Sequence, residues 1–271
     1  MLYTLNNYNY YYIIMIETKF VIFHQPKTAG SYADRCLPNN YVLPHNKNYH
    51  YCLTNNILSK NTKLVCIVRN PLDYYISLIT FWCLDKKYCR YIRNKSISLL
   101  KEEYEKNKTN MIGHPNYWIS YGYSERNLVN ILNNLFCEKF LIEHKKKLSK
   151  NHHTYDNYVF FNMLRLDIGF YTFSFLEQYS RKRINDIKTS EECKNEIIHI
   201  RNNFIVLNTK SIKKDLKELC IKYSVSFNDN IEKKMCSNRK KVSEYDIPDE
   251  LVEKIKYKER FMIEIFNLNL Y

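Results

Sequence analysis

Glycine is nearly absent, with 4 in 271 residues, and proline is scarce at 6. Such a chain has no glycine-rich linker on which two domains could swing. It also lacks the G-x-x-x-x-G-K-[ST] loop of ordinary nucleoside triphosphatases and kinases. Cysteine occurs nine times but never as C-x-x-C; Cys83 and Cys89 are the nearest pair, and no histidines follow at zinc-finger spacing. That pattern excludes a zinc finger, provides no metal-ligand set, and reads as free thiols in a reducing compartment. No stretch reaches the ~18 consecutive apolar residues of a membrane span. The aromatic stretch Tyr8–Ile16 is broken at Asn9, and no small-residue cleavage site follows it. Helix-turn-helix, zinc-finger and RRM-like patterns are missing, so no nucleic-acid partner is expected. These absences predict a soluble, cytoplasmic protein with a flexible lead over 1–17 and one domain over 18–271.

What is abundant is tyrosine, at 25 residues, with much Lys, Asn and Ile, a bias that AT-rich codons produce by themselves. Lys and Arg total 42 against 28 Asp and Glu, a formal charge of +14. An anionic partner and a merely solvated lysine-rich surface both fit that balance.

Short apolar runs alternate with helical patterns. Phe20–Phe23, residues 40–43, Leu64–Val68 and Phe204–Leu207 read as strands, the first and third buried on both faces. Helices are expected from near Ser31, from Pro71 with Asn70 as N-cap, over 95–106, 125–136 and 157–179 with a break near Gly169, along Ile212–Tyr223, and over 248–266. The alternation predicts an α/β fold, a P-loop-NTPase-like parallel sheet flanked by helices with a largely helical insertion and C-terminal half.

Two strand-to-helix junctions carry chemistry. Pro26-Lys27-Thr28-Ala29-Gly30-Ser31 places a glycine, a lysine and two hydroxyls where backbone amides open a helix, an arrangement suited to an anion. Val68-Arg69-Asn70-Pro71 places an arginine at the carboxyl end of a buried strand, and Ser77 returns two helical turns later. A guanidinium fork with a hydroxyl suits a terminal phosphate.

In this order the two segments resemble the sulfotransferase superfamily. Residues 20–31 are similar to its 5′-phosphosulfate loop, in a Pro-Lys-Thr-Ala-Gly form closest to the carbohydrate sulfotransferases, and residues 68–78 are similar to its 3′-phosphate motif. The resemblance implies a sulfotransferase using 3′-phosphoadenosine 5′-phosphosulfate (PAPS), with 3′,5′-adenosine bisphosphate as product, no metal, and a hydroxyl acceptor that is a sugar. It implies that Lys27 stabilises the leaving oxygen. Thr28, Ala29, Gly30, Ser31 and Tyr32 would cradle the phosphosulfate, and Arg69 and Ser77 would hold the 3′-phosphate. Arg239 and Lys240 would belong to a basic segment closing over the cofactor. Tyr32 departs from the small hydroxyl residue usual at its position, and the glycine of the cytosolic enzymes is missing after Lys240. For the catalytic base the intervening segment offers His50 and, second, His45; His24 reads as structural. Two other readings are an inactive nucleotide- or glycan-binding protein on the same scaffold and a nucleotide-dependent phosphotransferase. The oligomeric state stays open.

Overall fold

The computed structural model describes residues 18–44, 47–84, 128–142, 155–231 and 245–270, with side chains of 81–84 and 155–157 outside that description. At its centre β1 (Phe20–Phe23), β2 (Val42–Leu43), β3 (Lys63–Val68) and β4 (Ile205–Asn208) form a parallel sheet in the order β2-β1-β3-β4. Alternation divides the strands between two apolar faces. Phe20, Ile22, Val65, Ile67 and Leu207 pack with α1 (Gly30–Cys36) and α8 (Ile212–Tyr223). Val21, Phe23, Cys66 and Val68 face the larger core. That core is built by α2 (Tyr49–Thr54), α3 (Pro71–Leu84), α4 (Leu128–Leu135), α5 (Tyr155–Leu166), α6 (Phe170–Tyr179), α7 (Ser190–Asn203), α9 (Asp249–Lys258) and α10 (Arg260–Phe266). Burial on both sides is why β1 and β3 read as unbroken apolar runs.

The expected strands all form, β4 one residue later than anticipated. The expected 157–179 segment is two helices, with Gly169 as the N-cap of α6. Asn70 caps α3, accepting the Asp73 amide at 2.9 Å. The expected helix over 95–106 lies outside the described residues. The closing segment differs: instead of one helix over 248–266 there are two, α9 and α10, divided at Glu259.

The reason lies in where Glu259 goes. Its carboxylate is fully buried and meets four donors: the Tyr75 hydroxyl, the Tyr171 amide at 3.1 Å, the Thr172 amide at 2.9 Å and the Thr172 hydroxyl at 2.5 Å. It thus caps the N-terminus of α6 from 87 residues away, satisfying orphan amides and meeting the positive end of the helix dipole. Burial pushes this carboxyl up, against the opposing pull of the Thr172 and Tyr75 donors.

One turn away a second clamp joins the same elements. Asp167 bonds the Lys258 ammonium and the Tyr257 hydroxyl, and Arg260 reaches it at 3.3 Å. Burial pushes the Asp167 carboxyl up, but the Lys258 and Tyr257 bonds, with the Lys258 and Arg260 charges, outweigh it and hold it below the ordinary range. A folded-state pKa below the unfolded one contributes stability above the unfolded value and loses it as pH falls through the folded value. Asp167→Asn is therefore expected to leave a shallower fall in stability below about pH 4, read by urea denaturation across pH. An acid limb as steep as the parent's would show that the clamp is electrostatically idle.

Candidate active site

The sheet order fixes where a ligand can lie. From β1 the chain passes through α1 to β2 on one side; from β3 it passes by way of α3 and the helices that follow to β4 on the other. Helices α1 and α3 pack against opposite faces, so a crevice opens between the carboxyl ends of β1 and β3. Both sequence motifs stand at its rim.

The first rim is the loop Gln25–Gly30. Lys27 and Ala29 each have φ 63°, a left-handed conformation that costs a non-glycine residue roughly 1 kcal/mol. The Thr28 hydroxyl is buried and donates to the Gln25 carbonyl at 2.9 Å, while the Thr28 amide makes a longer contact of 3.4 Å to the same oxygen. Thr28 therefore holds the loop shut from inside. Ala29 caps α1, and Gly30 and Ser31 occupy its first turn, where helix geometry supplies no intrahelical acceptor for their amides. Gly30 is required by a close approach: a Cβ there would lie 1.9 Å from His24 Cδ2. The His24 ring also reaches Ser31 Oγ at 3.4 Å, a loose contact that places it under the loop. Tyr32 points elsewhere. Its ring is buried against Cys36 in the α1 face of the core, burial pushes its phenol up to about 12, and its amide already bonds the Ala29 carbonyl at 3.0 Å.

The second rim is Arg69. Its guanidinium Nη1 donates to the Lys27 carbonyl at 2.8 Å, linking the two motifs across 42 residues of sequence. Its amide donates to the Tyr171 hydroxyl at 2.9 Å. Asn70, next in line, donates its side-chain amide to the Asn269 carbonyl, so the chain's final described turn buttresses the same junction. Ser77 is half-buried two turns along α3, on the stripe it shares with Asp73.

The profile of the sulfotransferase domain matches residues 4–167, more than half of the chain and including both rims of the crevice. This chain belongs to the sulfotransferase domain family. No curated protein and no solved structure matches it. The parallel sheet flanked by helices is the fold expected of a sulfotransferase domain, and sulfuryl transfer is the family's chemistry.

The remaining candidates of this sulfotransferase domain are placed differently. His50 opens α2, half-buried, and both ring nitrogens are engaged: Nδ1 lies 2.7 Å from the Arg181 carbonyl, and Nε2 faces the Arg183 Nε–H at 3.3 Å. A carbonyl on one side and a guanidinium N–H on the other select the neutral tautomer with its proton on Nδ1 and its lone pair on Nε2. His45, Arg239 and Lys240 lie outside the described residues. Missing from the sequence reading were Tyr171, Tyr179 and Glu259, all fully buried. Their signal was faint: polar tips inside an otherwise apolar aromatic run, and one acid within a helical pattern.

Proposed function

We propose that this sulfotransferase domain uses PAPS as its donor and transfers the sulfuryl group to a hydroxyl of a carbohydrate. The observation that carries the donor assignment is the 2.8 Å bond from the Arg69 guanidinium to the Lys27 carbonyl. It brings the two motif residues together at the carboxyl ends of β1 and β3, next to the first turn of α1 with Gly30 and Ser31. A donor with phosphate groups at both ends of its ribose needs such a pair of anion grips. Bound there, PAPS supplies a sulfuryl group activated by its phosphate leaving group.

The chain's own residues divide the work. Lys27, with the Gly30 and Ser31 amides, stabilises charge that grows on the leaving oxygen. Thr28 keeps the loop in the conformation that presents those amides. Arg69 and Ser77 hold the 3′-phosphate and so distinguish the donor from ATP. His50 accepts the proton of the attacking hydroxyl at Nε2 once Arg183 swings off that nitrogen, and the Nδ1–H bond to the Arg181 carbonyl keeps the lone pair there. The Pro-Lys-Thr-Ala-Gly loop and the charge of +14 support a sugar acceptor bearing acidic groups.

The engagement of His50 by Arg183 also favours a second reading, a protein that binds donor and glycan without transfer.

The deciding experiment is calorimetry with 3′,5′-adenosine bisphosphate, 5′-AMP and ATP. The bisphosphate is expected to bind at least about tenfold tighter than 5′-AMP, and Arg69→Ala to remove that preference. Equal affinities in the parent chain would sink the donor assignment. A preference for the bisphosphate without turnover of labelled PAPS on any glycan would favour the second reading.

A further inference from the structure

The β1–β3 ladder stops before the strands do. The Lys63 amide bonds the Lys19 carbonyl at 3.0 Å, and pairing continues only to Ile22 with Val65. Parallel strands bond at alternate residues. Extending that register sets the Phe23 carbonyl opposite the Ile67 amide, and the Gln25 carbonyl opposite the Arg69 amide. Neither bond forms directly. Tyr179 Oη occupies the first rung, donating to the Phe23 carbonyl at 3.0 Å and taking a longer 3.5 Å contact from the Ile67 amide. Past the strand ends the second pair is separated: Tyr171 Oη accepts the Arg69 amide at 2.9 Å, and Thr28 takes the Gln25 carbonyl.

The geometry points to Tyr171 and Tyr179 as positioning residues of the donor site: the Tyr179 hydroxyl stands in the rung where β1 and β3 part, and the Tyr171 hydroxyl fixes the Arg69 amide just past the end of β3. This rests on the donor assignment above. Both phenols come from α6, beyond the residues that the sulfotransferase profile matches. Both are fully buried; Tyr171 packs on Tyr74 at 4.3 Å between ring centroids, and Tyr179 packs on Phe23 and Phe204. The rings therefore cannot swing away, and each hydroxyl has one place to be. Without them, the two amides would draw the strand ends together or lie buried without an acceptor. Helix α6 is itself pinned by Glu259 at its N-terminus, so the spacing is referred to the C-terminal helices.

The two phenols serve different rims, which makes the assignment testable in the full chain. Tyr171→Phe keeps the ring and removes the acceptor of the Arg69 amide. It is expected to weaken 3′,5′-adenosine bisphosphate about tenfold while leaving 5′-AMP within about twofold. Tyr179→Phe acts on the strand that feeds the Lys27 loop, and is expected to weaken both ligands about equally, also near tenfold. Amide hydrogen exchange gives a reading independent of any ligand: Arg69 should exchange faster in the first variant and Ile67 in the second, with the rest of β3 unchanged. Affinities are compared where circular dichroism shows each variant folded, and if one does not fold the other decides. Parental ligand ratios in Tyr171→Phe, or parental exchange at Arg69 and Ile67, would overturn the assignment. A parent chain that binds bisphosphate and 5′-AMP alike would overturn the donor reading instead, and the exchange data alone would then decide whether the phenols hold the strand ends.

Discussion

Gly169→Ala should cost this protein about 3–5 kcal/mol, as much as deleting the buried carboxylate of Glu259, and the two changes together should cost little more than Glu259→Ala by itself. A methyl group on Gly169 would lie 1.9 Å from Glu259 Oε1 and 2.9 Å from Tyr75 Oη. On the surface a carboxylate tip would move aside. Here it cannot, because four donors from Tyr75, Tyr171 and Thr172 hold it in a site with no exposure to water. Displacing it strands buried donors, each worth roughly 1–3 kcal/mol when left unpaired. Once position 259 is alanine the severe clash is gone, only the 2.9 Å approach to Tyr75 Oη is left, and with space beside it for that ring to give, most of the second penalty disappears. Urea denaturation of the two single variants and the double variant measures the cycle. Additive losses would show that Gly169 is needed for some other reason than the space the carboxylate fills. In the parent the burial-raised pKa of Glu259 has its own signature. Its proton is held more tightly in the folded state, so this residue's contribution is complete below the unfolded carboxyl pKa and declines as pH rises through the folded one. Glu259 and Asp167 therefore pull the pH profile in opposite directions, although they lock the same pair of helices to the same turn.

Lys27→Met should lower sulfuryl transfer by about 10²- to 10³-fold, while weakening 3′,5′-adenosine bisphosphate by far less. Methionine keeps most of the alkyl stem and removes the ammonium proposed to stabilise the leaving oxygen. The product bisphosphate retains the other grips, so binding and turnover separate. Lys27→Gly provides the control for the backbone. Residue 27 sits at φ 63°, where glycine is at ease and lysine is strained, and its carbonyl still accepts the Arg69 guanidinium whatever the side chain. If the charge is what counts, the glycine variant is as slow as the methionine variant although its loop is relaxed. A glycine variant that turns over like the parent would remove Lys27 from the chemistry and leave it only a place in the loop. Rapid-quench turnover with labelled PAPS measures the first quantity and calorimetry the second.

The parts legible in the sequence are those whose signals lie within a dozen contiguous residues. Phe20–Phe23 had to be an interior strand because nothing in it tolerates water. Asn70-Pro71 had to open a helix because the side-chain oxygen of one residue caps it and the ring of the next fits its first turn. The loop 26–31 could be read as a strand-to-helix turn opening α1, and Gly30 stood out in a chain with so few glycines. Tertiary structure decided everything that depends on residues far apart. Tyr32 follows the grip in sequence, but helix phase turns its ring into the core, where it packs with Cys36. His50 is held by the turn at 181–183 rather than by any neighbour in the sequence. The apolar periodicity of 248–266 spoke for one helix, and it breaks at Glu259, whose carboxyl group is turned inward onto the donors at the start of α6. The crevice itself belongs to this second class. Periodicity tells which residues of β1 and β3 are buried, but where two parallel strands part is set by what comes between them. Here that is the Tyr179 hydroxyl, from a helix more than 100 residues further along the chain.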